Sequence, residues 1–93
     1  MAEYIIMPTG QFKKDLKLAK KRGLQLSDLY AVLDKLAADE PLPDKCRNHL
    51  LRGNYAGLWE CHINPDWLLV YEKEVEIRVI SLYRTGTHSD LFK

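Results

Sequence analysis

Trp59-Glu60-Cys61-His62-Ile63-Asn64-Pro65-Asp66-Trp67-Leu68-Leu69-Val70-Tyr71 is the stretch that decides the fold. Trp59, Cys61 and Ile63 alternate with Glu60, His62 and Asn64, the period-two pattern of a half-buried strand whose successive side chains point to opposite faces. Asn64-Pro65-Asp66 is a turn by composition, and the aromatic and aliphatic run from Trp67 to Tyr71 is a second strand, so the stretch is a hairpin. Beyond it Lys73-Glu74 makes a polar break. Val75, Ile77 and Val79 then alternate with Glu76 and Arg78 before the run merges into Ile80 to Tyr83, which extends the hairpin into a three-stranded antiparallel meander.

Toward the N-terminus the period becomes helical. Leu26, Leu29, Leu33 and Leu36 recur at helical spacing with Ser27 near the start, and this helix ends near Asp39, before Pro41. Upstream, Phe12, Leu16 and Ala19 repeat at three- and four-residue spacing behind Thr9, an N-cap, and Arg22-Gly23 closes that helix. The two form a helical hairpin. Tyr4 to Met7, apolar and ended by Pro8, is too short for a helix and reads as a first strand pairing with the last. Glu40-Pro41-Leu42-Pro43-Asp44 carries two prolines and is a connecting loop leading to His49. The fold class is therefore α+β: one N-terminal strand, a two-helix hairpin and three antiparallel strands, with the helices on one face of a single sheet.

The chain has 93 residues, enough for one core and no second one, so residues 1–93 are read as a single domain. Hydrophobic residues at 46% and charged residues at 29% exclude disorder and low-complexity composition. No apolar run approaches the roughly 18 residues that span a bilayer. The start, Met1-Ala2-Glu3-Tyr4-Ile5-Ile6, lacks the basic and long apolar regions of a signal peptide, so a cytoplasmic protein with no membrane association is expected. Cys46 and Cys61 are too few for a disulfide scaffold and read as thiols. The net charge of +1 hides an uneven distribution: Lys13, Lys14, Lys17, Lys20, Lys21 and Arg22 against Asp15 alone give that segment +5 and leave −4 for the rest. Such a helix face suits a polyanion or an acidic partner, although a solvated lysine-rich surface explains it equally well.

Several chemistries fall away. Ser27, Ser81 and Ser89 sit in no nucleophile elbow. Cys61 and His62, adjacent on a strand, point to opposite faces and cannot form a nucleophile–base pair. His49, His62 and His88 lack the close spacing of a metal motif, and no phosphate-binding glycine loop is present. What remains is a set of polar groups that a core has no use for: His62 opposite Trp59, Cys61 and Ile63; Asp66 and Trp67 in the adjoining turn; Arg84 at the end of the last strand; His88 and Phe92 in the tail. Each has a plain reading alone, as a solvated histidine, a turn residue or a core aromatic. If the tail folds back across the sheet, they and His49 converge on one face. The set then suits attack of a ribose 2′-hydroxyl on its adjacent phosphate. Imidazoles act near neutral pH as base and acid, Arg84 stabilises the phosphorane, and aromatic rings stack splayed bases.

The boxes His49-Leu50-Leu51-Arg52-Gly53, Cys61-His62-Ile63-Asn64-Pro65-Asp66 and Arg84-Thr85-Gly86-Thr87-His88-Ser89-Asp90-Leu91-Phe92, in this order and at these distances, resemble the YafQ-like branch of the RelE/ParE toxin superfamily. The resemblance implies a RelE-like fold and a bacterial type II toxin. Such a toxin is an endoribonuclease that cleaves mRNA in the ribosomal A site without a cofactor or metal, and a cognate antitoxin holds it inactive. Its partners are then the ribosome, mRNA and the antitoxin; a monomeric free toxin is expected, and a higher-order complex with the antitoxin. By position, the catalytic set falls on His49, His62, Asp66, Arg84 and His88, with His88 and Asp66 as the acid/base pair, and Trp67 and Phe92 lie near the bases. Because +1 is low for a ribosome-binding protein, affinity is assigned to the helix cations Lys13, Lys14, Lys17, Lys20, Lys21 and Arg22, and contact with substrate to Lys45, Arg47 and Arg52. Two other readings stand beside this one. A ParE-like gyrase poison shares the fold and needs no acid/base residues. A non-catalytic RNA- or protein-binding module leaves His49, His62 and His88 apart.

Overall fold

The alternation in residues 59–71 is a hairpin in the computed structural model, which describes residues 3–92. The elements are β1 (Ile5–Pro8), α1 (Gly10–Lys21), α2 (Leu26–Ala37), β2 (His49–Leu50), β3 (Trp59–Asn64), β4 (Trp67–Glu74), β5 (Val79–Gly86) and α3 (His88–Leu91), with single 3-10 turns at Asp44–Cys46 and Gly53–Tyr55. They form one five-stranded sheet in the order β1-β5-β4-β3-β2. β1 pairs with β5, the last strand, and runs parallel to it, and the other pairs are antiparallel.

Thr9 starts α1 as expected, its hydroxyl accepting the Phe12 N–H at 3.2 Å. The α1–α2 connection turns at Gly23, whose φ of +77° is the left-handed conformation that glycine adopts without a Cβ clash. Phe12 and Ala19 from α1 and Leu29, Val32 and Leu36 from α2 are buried against Cys61, Trp67, Leu69, Tyr71, Ile80 and Leu82 of the sheet. The two long helices therefore share one face. On the opposite face Leu68 and Val70 are covered by Leu91 of α3, with Leu51, Leu58, Tyr83 and Phe92 packed around them. β4 is buried at each position from Trp67 to Tyr71 because both its faces are covered.

Four expectations change. The meander's third strand begins at Val79, and Val75 to Arg78 form the turn. The register that pairs Glu74 with Val79 leaves those four residues outside the ladder, so Val75 and Ile77 are exposed, and Arg78 takes a left-handed φ of +58°. Lys73-Glu74 is not a break but the end of β4. The loop after the prolines supplies a short edge strand, β2, with His49 paired to Glu60 and Leu50 to Trp59. The tail is ordered as α3 by a capping box, in which Thr87 Oγ1 accepts the Asp90 N–H and Asp90 Oδ2 accepts the Thr87 N–H. Among the described residues no helix is long and apolar enough to cross a membrane.

Candidate active site

The sheet face away from the helical hairpin carries the chemistry. Pairing across β2, β3 and β4 places His49 opposite Glu60 and His62 opposite Leu68, so alternation sends His49, Glu60, His62 and Leu68 to the same side. Glu60 is only 5% exposed. Its Oε1 lies 3.4 Å from His49 Nε2 and 3.9 Å from His62 Nε2, so two imidazoles meet one sheltered carboxylate. His49 Nδ1 donates to the Arg47 carbonyl oxygen at 2.6 Å, which turns Nε2 toward Glu60.

Arg84 reaches this face through a bulge. Val70 pairs with Arg84 but Tyr71 pairs with Leu82, leaving Tyr83 as the extra residue, and both Tyr83 and Arg84 line the same cavity. Arg84 Nε donates to Asp15 Oδ2 at 2.7 Å and Nη2 to Oδ1 at 3.3 Å, while Asp15 Oδ2 also accepts the Thr85 N–H at 3.1 Å. The cavity, about 210 Å³, is walled by Tyr55, Leu58, Tyr83, Leu91 and Phe92 with Arg84 among them. Phe92 meets Tyr55 edge to face at 5.3 Å between centroids and lies 5.1 Å from the His88 ring. β4 begins where β5 ends, so the turn holding Asp66 and the α3 start holding His88 leave the sheet at the same end. Both side chains are exposed.

The other expected site residues divide. Lys45 shares a cleft of about 170 Å³ with His62, and Arg47 and Arg52 are exposed in the segment around β2. Lys13, Lys14, Lys17, Lys20 and Lys21 are exposed along α1, whereas Arg22 is paired with Asp90 at 2.6 Å. Trp67 is not at the site. It is 1% exposed, on the helical side of the sheet, with Nε1 donating to Thr85 Oγ1 at 2.7 Å, so its ring is not available to stack on a base. Cys61 is no nucleophile either, since burial pushes its thiol up to about 12.

Glu60, Asp15 and Tyr55 are absent from the residues the sequence singles out. Alternation already puts Glu60 beside His62. What the sequence withholds is β2, which brings His49 to the same carboxylate. Among the described residues no group of three or more His, Cys, Asp and Glu side chains is placed to hold a metal ion.

The chain belongs to the YafQ family of bacterial toxins of type II toxin–antitoxin systems, whose family model matches residues 4–93. It is 36% identical over 85 residues to the mRNA interferase toxin YafQ of Escherichia coli K12, covering 90% of each chain. The crystal structure of YafQ from E. coli BL21(DE3) superposes with a TM-score of 0.90 at 34% identity, over 98% of this chain and 100% of that one. The toxin in the E. coli DinJ–YafQ toxin–antitoxin complex superposes with a TM-score of 0.88 at 35% identity, over 98% and 99%.

Proposed function

We propose that the face bearing His49, Glu60, His62, Arg84 and His88 carries the mRNA interferase activity of this toxin, cutting mRNA in the ribosomal A site in the cytoplasm. The observation that supports this is the meeting of two imidazoles on one buried carboxylate, on the face that also holds Arg84 and an aromatic-walled cavity. A binding module has no use for that cluster, and gyrase poisoning leaves it unexplained.

In this reading one member of the His88–Asp66 pair removes the 2′-hydroxyl proton, and the 2′ oxygen attacks the adjacent phosphorus. The bond from phosphorus to the 5′ oxygen breaks, and the other member protonates that oxygen. Arg84 faces the charge that accumulates on the phosphorane, with His49 and His62 assisting in proton transfer and charge stabilisation. Glu60 sets one carboxylate beside both rings. Phe92 and Tyr55 offer edges and faces to a base beside the scissile phosphate, Lys45, Arg47 and Arg52 hold the flanking backbone, and the exposed lysines of α1 meet the ribosome. Every group in this scheme belongs to the chain itself. The regulating partner is a cognate antitoxin, as DinJ is for E. coli YafQ.

The deciding experiment incubates the protein with one mRNA, free and on programmed ribosomes, alongside a gyrase supercoiling assay. Cuts within codons that need the ribosome, with supercoiling unaffected, are expected; inhibited gyrase with intact mRNA rejects the reading. Glu60→Gln keeps the shape of the side chain but removes the charge between the two imidazoles. It is expected to lower the single-turnover cutting rate about tenfold, the loss typical of catalytic groups held slightly out of place. An unchanged rate from a folded Glu60→Gln chain removes Glu60 from the site.

A further inference from the structure

Arg22 ends the basic helix but is bonded differently from the lysines before it. Its Nη1 donates to Asp90 Oδ2 at 2.6 Å and its Nη2 to Oδ1 at 3.3 Å, a two-pronged pair across 68 residues of sequence. The same Oδ2 accepts the Thr87 N–H at 2.9 Å, so one carboxylate joins the C-terminal end of α1 to the residue immediately before His88. The Arg22 guanidinium holds the Asp90 carboxyl far below the usual carboxylate range. The approach is also shaped by Gly86, where a Cβ would lie 3.0 Å from Asp90 Oδ2 and 3.1 Å from Asp90 Cβ.

α3 needs this support. It is a single turn of four residues, too short to be stable alone, and Leu91 is its one buried residue. Its apolar anchors, Leu91 and the half-buried Phe92, both lie at its C-terminal end, so its first residue, His88, is free to shift unless the N-terminal end is tied down. α1 restrains that shift through Arg22 and, two turns earlier on the same helical face, holds Arg84 through Asp15. Both reacting elements of β5 and the tail are therefore referenced to the same helix.

We infer that Arg22 is a positioning residue, which through Asp90 sets the His88 imidazole relative to Arg84, rather than a member of the ribosome-binding row. The inference rests on the assignment of His88 and Arg84 to the cleavage reaction. A pair this exposed adds little to global stability, so its effect is read in rate and not in melting.

Cleavage is measured in single turnover on programmed ribosomes at increasing ribosome concentration, for the wild-type chain, Arg22→Gln, Arg22→Lys, Lys21→Gln, Gly86→Ala and His88→Ala. Arg22→Gln is expected to lower the saturating rate about ten- to hundredfold, as a displaced catalytic group does, with the half-saturating ribosome concentration unchanged. Arg22→Lys restores part of the rate, since it returns a cation to Asp90 but only one of the two prongs. Lys21→Gln instead raises the half-saturating concentration. Gly86→Ala pushes the Asp90 side chain aside without altering any charge, and lowers the saturating rate as Arg22→Gln does; the variants stay folded at the assay temperature, Arg22→Gln losing at most about 8 °C of melting temperature, the equivalent of about 1 kcal/mol. If Arg22→Gln behaves as Lys21→Gln does, with a wild-type saturating rate, Arg22 serves the ribosome and the inference is overturned. If His88→Ala cuts at the wild-type rate, the site assignment itself fails, a result separate from the first.

Discussion

His88→Ala is expected to lower the rate of mRNA cutting by about a hundred- to ten-thousandfold, the contribution of a positioned acid or base. The substitution is unusually clean. His88 is exposed at the first position of α3, its ring touches Phe92 at the surface rather than the core, and alanine favours the helix. The capping box around it is built by Thr87 and Asp90 and does not involve the imidazole. Folding and ribosome occupancy should therefore match the wild type, leaving chemistry as the only difference. Primer extension on mRNA translated in a reconstituted system reads the outcome directly. Discrete cuts within codons from the wild type, absent at matched occupancy from His88→Ala, are expected. Cuts of equal strength from the variant would falsify the role given to His88, and the acid/base work would pass to the His49–Glu60–His62 cluster.

The sequence makes the scaffold legible wherever a period is unbroken over several residues. Phe12, Leu16 and Ala19 give α1, the leucines give α2, and Trp59, Cys61 and Ile63 give β3 together with the side of the sheet each side chain takes. β2 is missed because two residues carry no period, and its existence depends on the ladder that Glu60 and Trp59 offer. The end of β4 is misread for a related reason: Val75, Ile77 and Val79 keep the alternation of a strand, but closing the hairpin at Glu74 and Val79 leaves Val75 and Ile77 in the turn. At the site, His49, His62 and Arg84 share one face because each sits at a strand position of fixed parity, and Phe92 walls a cavity with Arg84. Asp15 and Tyr55 act through neighbours far away in sequence, and no spacing announces them; alternation sets Glu60 beside His62, but His49 reaches the same carboxylate only through β2. Arg22 is counted with the lysines for the same reason, because nothing in residues 13–22 points to Asp90.

Trp67 shows where periodicity runs out, and it carries the largest expected effect on stability. The run Trp67-Leu68-Leu69-Val70-Tyr71 is apolar at every position, so the sequence does not say which face the indole takes. Once Leu68 and Val70 lie under Leu91, alternation puts Trp67 with Leu69 and Tyr71 against the helices. There its Nε1 donates to Thr85 Oγ1, which itself donates to the Leu68 carbonyl oxygen at 2.7 Å, so the ring packs the core and ties β4 to the end of β5. Trp67→Ala is expected to destabilise the protein by about 3–5 kcal/mol, through lost burial and the cavity left behind. That is much of the roughly 5–15 kcal/mol that holds a domain folded. Trp67→Phe keeps most of the ring and loses the hydrogen bond, at about 1–2 kcal/mol. Urea midpoints measure both losses, and the cutting rate per folded molecule of Trp67→Phe separates core from substrate. A core tryptophan predicts a lowered midpoint with cutting close to wild type. A wild-type midpoint with cutting reduced more than tenfold would return the indole to the mRNA, which requires a rearrangement of β4 that brings a buried ring through the sheet to the face held by His62 and Glu60.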